Sequence, residues 1–235
     1  MFIRSQVPGR TKVKLTVDIL MTAVLLGLMT YSFIGEKAHE WLGMVMLLLF
    51  VFHHILNFSW LKGLGRGKYS PYRVFQTVIV ILIFFCMFGS MVSGILISQY
   101  LFSEWTSQYL YESASLAHLF CAYWGFMLMS MHIGLHWRMI MGIMKSRMKK
   151  PCPTILGRCL RILAAGIALY GAYRFIHNRI PSYLFLQTHF VMYDFDATLL
   201  RVLRDELAIM GLFLYLAYHT GGILQKTKEK GELKL

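Results

Sequence analysis

Long apolar runs alternate with short polar connections along this chain. Six segments, near residues 15–35, 41–60, 74–101, 115–143, 157–177 and 206–224, approach or exceed the length needed to cross a bilayer. At about 1.5 Å of rise per residue, roughly 20 residues span the hydrocarbon. Without water to satisfy the backbone, such segments are predicted as helices. The first two are separated only by Gly35–Glu40, which reads as a tight hairpin. The expected architecture is all-α: a polytopic membrane helix bundle of about six transmembrane helices. Residues 1–150 read as a four-helix core and 151–235 as a two-helix C-terminal extension with a loop. No internal repeat, low-complexity tract or soluble domain stands out. The first segment follows basic residues, as a signal peptide would. It is too long for one and lacks a small-residue cleavage site, so it is expected to be a retained helix.

Composition agrees with lipid as the main solvent. Hydrophobic residues make up 57% of the 235, only 15% are charged, and the mean hydropathy is +0.55. A soluble domain would carry about a quarter charged residues. The net charge of +13 would raise the question of nucleic acid in a soluble protein, but no basic stripe lies on a soluble surface. The basic residues instead fall in alternate connections. Arg4, Arg10, Lys12 and Lys14 precede the first segment, and Lys62, Arg66, Lys68 and Arg73 follow the second. Arg138, Lys145, Arg147, Lys149, Lys150, Arg158 and Arg161 lie around the fourth connection, and Lys226, Lys228, Lys230 and Lys234 close the chain. Only Lys37, Arg174, Arg179, Arg201 and Arg204 fall on the other side. The positive-inside rule then predicts both termini in the cytoplasm.

The histidines change the picture from a generic bundle to one with chemistry. His39 and His53 lie on the second segment, and His118 and His132 on the fourth; each pair is separated by 14 residues. That is nearly four helical turns, so each pair shares a face and is separated by about 21 Å along the axis. The two segments run in the same direction through the membrane. His39 therefore lies level with His118 near the outer face, and His53 level with His132 near the inner one. Two facing imidazoles suit the two axial positions of a haem iron and leave no open site, an arrangement for electron transfer. Four such ligands predict two non-covalent b-type haems in series. No Cys-x-x-Cys-His occurs, so covalent c-type attachment is excluded, and the four cysteines form no metal-binding spacing.

A single membrane histidine is more often a hydrogen-bonding packing residue. Two pairs at equal spacing on parallel helices are harder to obtain by chance, and ionisable residues within a membrane are functional candidates by default. The inner pair has rivals. His54 adjoins His53, and His136 lies one turn beyond His132 and five turns from His118, on the same face. If His53 and His132 are the ligands, His54 and His136 are left as propionate or quinone contacts or as interfacial residues. Arg73, Lys68 and Arg138 stand where inner propionates could end, and each is equally explained as a topology charge. Gly43, Gly89, Gly94 and Gly125 would let a flat macrocycle, or simply another helix, come close. His177, His189 and His219 have no partner at matched spacing.

The stretches His39-Glu40-Trp41-Leu42-Gly43, His53-His54-Ile55-Leu56-Asn57 and Gly67-Lys68-Tyr69-Ser70-Pro71-Tyr72-Arg73 resemble the flavinylation-associated cytochrome family. So do Ala117-His118, Ala122-Tyr123-Trp124-Gly125 and His132-Ile133-Gly134-Leu135-His136-Trp137. The likeness covers roughly residues 12–145, and the last two helices resemble an extension found in some members. It implies a bacterial cytoplasmic-membrane b-type cytochrome that passes electrons to an extracytoplasmic protein bearing covalent flavin. The histidine spacing is also similar to that of respiratory cytochrome b and of ferric reductases. The chain has no dehydrogenase domain, which departs from the ferric reductase pattern.

The expected function is transmembrane electron transfer, from quinol or a cytoplasmic donor to an extracytoplasmic redox partner, probed against two others. One is a haem-containing oxidoreductase that turns over alone; an electron-transfer subunit is preferred to such a self-contained enzyme. The other is a haem-free transporter or proton relay using the histidines. The loop 178–205, whose apolar stretch 183–193 is too short to span and is expected at the interface, lies on the outer side and could dock the acceptor.

Overall fold

The computed structural model describes residues 9–106, 108–147, 153–188, 191 and 196–232, without the side chains of 147 and 227–232. Arg4, Lys149, Lys150, His189 and Lys234, noted in the sequence, and one of the four cysteines, Cys152, lie outside the described residues. Every regular element among the described residues is helical. They are α1 (Gly9–Met29), α2 (Tyr31–Leu56), α3 (Phe58–Lys62), α4 (Pro71–Ile97), α5 (Tyr111–Arg147), α6 (Thr154–His177), α7 (Ile180–Leu184) and α8 (Leu199–Glu232). A short 3-10 turn covers Ser103–Trp105.

Among the described residues five helices, rather than the six expected, are long and apolar enough to cross a membrane: α2, α4, α5, α6 and α8. The first segment does form a helix of 21 residues, but Lys12, Lys14 and Asp18 lie within it. The boundary between the first two segments also differs. α1 ends at Met29 and α2 begins at Tyr31, and between them the Thr30 hydroxyl donates to the Gly27 carbonyl at 2.7 Å. The chain turns again at Gly35, whose φ of 74° is in the region glycine adopts without penalty. Helix resumes immediately, so the expected hairpin residues up to Glu40 are helical and His39 sits in the first turns of the long arm of α2.

The outward faces are apolar. On α6, Ile155, Ile162, Leu169 and Ile176 recur every seven residues, and each is about three-quarters exposed, at 74%, 73%, 73% and 71%. In water such a stripe would be an aggregation hazard; in a bilayer it is the lipid face. The fold is thus a helical bundle of the multi-pass membrane kind.

Its interior has two parts. A frame is formed by α4 on α5, α5 on α8 and α6 on α8. Two glycines allow its closest approaches. A Cβ at Gly134 would lie 2.9 Å from the Leu214 Cα, and one at Gly171 would lie 3.2 Å from the Ile209 backbone nitrogen. Backbone cannot yield there as a side chain could, so both positions exclude anything larger. The α1–α2 hairpin is the second part. It is well packed internally but makes few contacts with the frame, and α2 scarcely touches α5. Met46, Phe50, Met87, Phe126, Ile209 and Met210 belong to one buried cluster that joins the two. That cluster includes residues on both sides of position 150, so the last two helices share the core of the first four.

The segment after α6 departs from an interfacial strip. Arg179 takes a left-handed conformation with φ of 53°, and the chain folds inward as α7. Ile180, Tyr183 and Leu184 are buried. Tyr183 stacks on Tyr123 with ring centres 4.7 Å apart, and the Trp124 indole donates to the Leu184 carbonyl at 3.1 Å. α8 then starts at Leu199, earlier than residue 206, which shortens the loop.

Candidate functional site

One large cavity, of about 800 Å³, opens at the end of the bundle where few basic residues lie. It is lined by the C-terminal ends of α1, α4 and α6 and by the N-terminal halves of α2, α5 and α8. That lining shows α2 and α5 running in the same direction, as the charge pattern predicts. His39 and His118 face each other across it.

Their ring centres are 6.0 Å apart and the ring planes make an angle of 72°. Imidazole nitrogen binds a metal at about 2.0–2.1 Å, and the ring centre lies about 1 Å behind the nitrogen. Two imidazoles on opposite sides of one iron therefore have centres about 6 Å apart. The surroundings hold one nitrogen of the His118 ring. His118 Nδ1 donates to the Ser90 carbonyl at 2.9 Å and lies 3.2 Å from the Ser93 hydroxyl. This fixes the tautomer and leaves Nε2 with its lone pair, as in ligating histidines generally. The Leu28 carbonyl faces His39, while His39 Nδ1 is buried and closes no hydrogen bond. Gly94 makes room for the His118 ring, since a Cβ there would meet its Cε1 at 3.3 Å. Gly43 lines the cavity and a Cβ there would meet nothing within 4 Å, so its face is open space.

Glu40, beside His39, has a role that spacing alone misses. Its carboxylate accepts from the Ser98 hydroxyl at 2.8 Å and from the backbone N–H groups of Gln99, Tyr100 and Leu101 at 2.7, 3.2 and 2.9 Å. These donors follow the C-terminus of α4, so one carboxylate fastens α2 to the turn where α4 ends. Charge-assisted bonds of this kind contribute about 1.5–3 kcal/mol each when dry; here the site is partly wetted. Glu40→Ala should cost about 1–3 kcal/mol in stability and speed amide exchange at 99–101 well beyond the rest of the bundle. Unchanged exchange there would show that the turn holds itself.

At the opposite end the four histidines are less closely gathered. His53 Nδ1 lies 2.8 Å from Asp18 Oδ1 on α1. His54 Nδ1 donates to the Phe50 carbonyl at 2.8 Å, one turn back, and its ring packs against Phe50 and Phe84. His132 and His136 have ring centres 4.7 Å apart; His132 Nδ1 is buried without a partner, and His136 Nε2 lies 3.2 Å from the Gln76 amide. Arg73 is already engaged. Its guanidinium donates to the Gly63 carbonyl at 2.7 Å and stacks on Tyr69 at 4.3 Å. Arg138 donates to Gln225 at 2.6 Å.

A third cluster lies between α6 and α8. Asp205, 2% exposed, takes Arg174 at 2.6 Å, Arg204 at 3.0 Å and the Tyr170 hydroxyl at 2.7 Å. Glu206 is buried beside it, with Oε2 unpaired. Sequence inspection left these unused, although acids inside an apolar run are a recognisable signal.

The residues fit a planar iron macrocycle at the site of His39 and His118: a neutral two-histidine donor set, matched separation and a roomy gap between helices that barely meet. Among the described residues no three His, Cys, Asp or Glu side chains converge, and a two-histidine haem site would not need them. No family model, curated protein or solved structure matches this chain, so the function is argued from this geometry.

Proposed function

We propose that the protein is a membrane b-type cytochrome that carries electrons across the bilayer. The observation that supports it most is the His39–His118 pair, 6.0 Å between ring centres, at the wall of a cavity between helices that barely meet. Haem, when bound, supplies a one-electron iron couple. His39 and His118 would hold one group through Nε2, with the Ser90 carbonyl and Gly94 setting the orientation of the second ring. His53 and His132 would hold another. The equal spacing of the two pairs and the Asp18 bond to His53 support that register; His54, His136 and Arg73 then line the site or brace it.

On this reading both termini lie in the cytoplasm of a bacterial cytoplasmic membrane. Electrons come from the quinone pool or a cytoplasmic donor and pass to an extracytoplasmic partner, of which a flavoprotein is the first to test. The chain acts as an electron-transfer subunit rather than an enzyme turning over alone. The α7 segment and the loop after it would stand on the acceptor side.

The purified protein, produced with ample haem, should give a dithionite-reduced minus oxidised spectrum of b type, with two haems per chain by pyridine haemochromogen. A colourless protein that is folded and helical sinks the proposal and leaves the histidine relay standing.

A further inference from the structure

The cavity that His39 and His118 face extends to the third cluster. Arg174 and His177 of α6 and Arg201, Asp205 and Glu206 of α8 also line it. Glu206 is 7% exposed, and its Oε2 is buried without a hydrogen-bond partner. The cations of the cluster are engaged by its neighbour, since Asp205 takes Arg174 at 2.6 Å and Arg204 at 3.0 Å. The other carboxyls on the cavity differ. Asp205 is paired, Glu40 is filled by the donors of the turn after α4, and Glu36 is only half-buried on α2. α5 presents His118, Cys121 and two tyrosines, α7 presents Tyr183, Arg179 follows α6, and α1 and α4 present no acid or base. Among the described residues, Glu206 is thus the one dry carboxyl on this wall with an open oxygen. An isolated carboxylate in such a place carries a large desolvation penalty, and an apolar side chain would pack there without it. Ionisable groups kept inside a membrane bundle against that penalty are candidates for function.

We propose that Glu206 is a proton-accepting site coupled to the group held by His39 and His118: it takes up a proton from the outer aqueous phase when that group is reduced and releases it on reoxidation. This rests on the proposed function. The step balances in charge. One electron arrives from the donor side and takes iron from ferric to ferrous. One proton enters through the open end of the cavity and converts the Glu206 carboxylate to the acid. The physical basis is Coulombic. An added negative charge in a medium of low dielectric repels a carboxylate on the same cavity, and neutralising the carboxylate removes that repulsion. Electron and proton therefore favour each other, and the coupling is reciprocal. Raising the pH should then lower the potential of the outer haem.

The experiment is a spectroelectrochemical titration of the purified protein at a series of pH values, with the outer component identified as the one missing from His118→Ala. One proton per electron moves a one-electron potential by about 59 mV for each tenfold change in proton concentration. The outer potential should fall with rising pH by up to that amount per unit. Glu206→Gln keeps the shape and fixes the side chain as neutral. In it the slope should flatten and the potential should stay near the low-pH limit of the parent, with two haems retained and the inner component unchanged. In the unmodified protein, the reduced-minus-oxidised infrared spectrum should gain the carbonyl band of a protonated carboxyl, shifted in D2O and missing from Glu206→Gln. A parent slope that survives in Glu206→Gln overturns the inference and assigns the proton to the carboxylates of the bound group itself. A pH-independent outer potential in a two-haem protein overturns it as well. If Glu206→Gln fails to fold, the infrared band of the unmodified protein decides, and its absence rejects the coupling. Absence of haem from the unmodified protein is a separate outcome that removes the parent proposal too.

Discussion

His118→Ala should halve the haem content, from two per chain to one, and His39→Ala should remove the same component. The two rings meet at one position, so neither alone can hold an iron with both axial sites filled. His118 is the sharper test, because its ring is fixed by the Ser90 carbonyl and by the space above Gly94. In His118→Gly, added imidazole should restore the missing band, since the free base can enter the slot that the side chain leaves. The pair could instead be a packing contact between α2 and α5. In that case both variants would change thermal stability and leave the pigment untouched, which is a clear opposite result. His53→Ala and His132→Ala should remove the other component. Loss of that component from His54→Ala, with His53→Ala silent, would move the inner register by one residue.

The second large effect is structural. Asp205→Ala should destabilise the bundle by about 3–5 kcal/mol, the range for removing one member of a buried ion pair. Arg174 is only 8% exposed, and without Asp205 its charge would be left in a dry interior. Most of the loss arises from that stranded guanidinium rather than from Arg204, whose side chain is 57% exposed and whose share of the pairing is worth little. The double variant Arg174→Met with Asp205→Leu should recover most of the stability, because a well-packed apolar pair often replaces a buried ionic one at no net cost. Thermal denaturation in detergent measures both. A single variant as stable as the parent would mean that water reaches the cluster through the cavity.

Much of this fold is legible in the sequence because lipid imposes simple demands. A run with few charges that is long enough to cross must be helix, and α4, α5 and α6 follow from that rule. The equal spacing of His39–His53 and His118–His132 carries into straight helices, and the upper pair meets as the register requires. What escaped has a physical reason in each case. α1 holds Asp18 and Lys14 because both find partners on α2, which hydropathy cannot see. Glu40 looked like part of a hairpin, yet its function is to collect N–H groups from a turn about sixty residues away. The stretch 183–193 reads as too short to span and is expected at the interface; the burial of Tyr183 in α7 depends on a stack with Tyr123 that no local pattern encodes. The inner histidines are ambiguous in the sequence because adjacent residues differ by only a fraction of a turn.

The uneven bundle has a consequence for how the protein is assembled. Gly134 and Gly171 lock α8 against its neighbours at backbone distance, so the frame has no slack. The α1–α2 hairpin meets that frame mainly through the Glu40 tether and the shared apolar cluster. A group held by both His39 and His118 would touch both parts at once and so join them. Occupancy and hairpin docking are then a single linked equilibrium: the tighter the cargo, the more firmly the hairpin is held. The empty chain should accordingly be clipped by protease in α1 and α2 first, and the loaded chain should resist along its whole length.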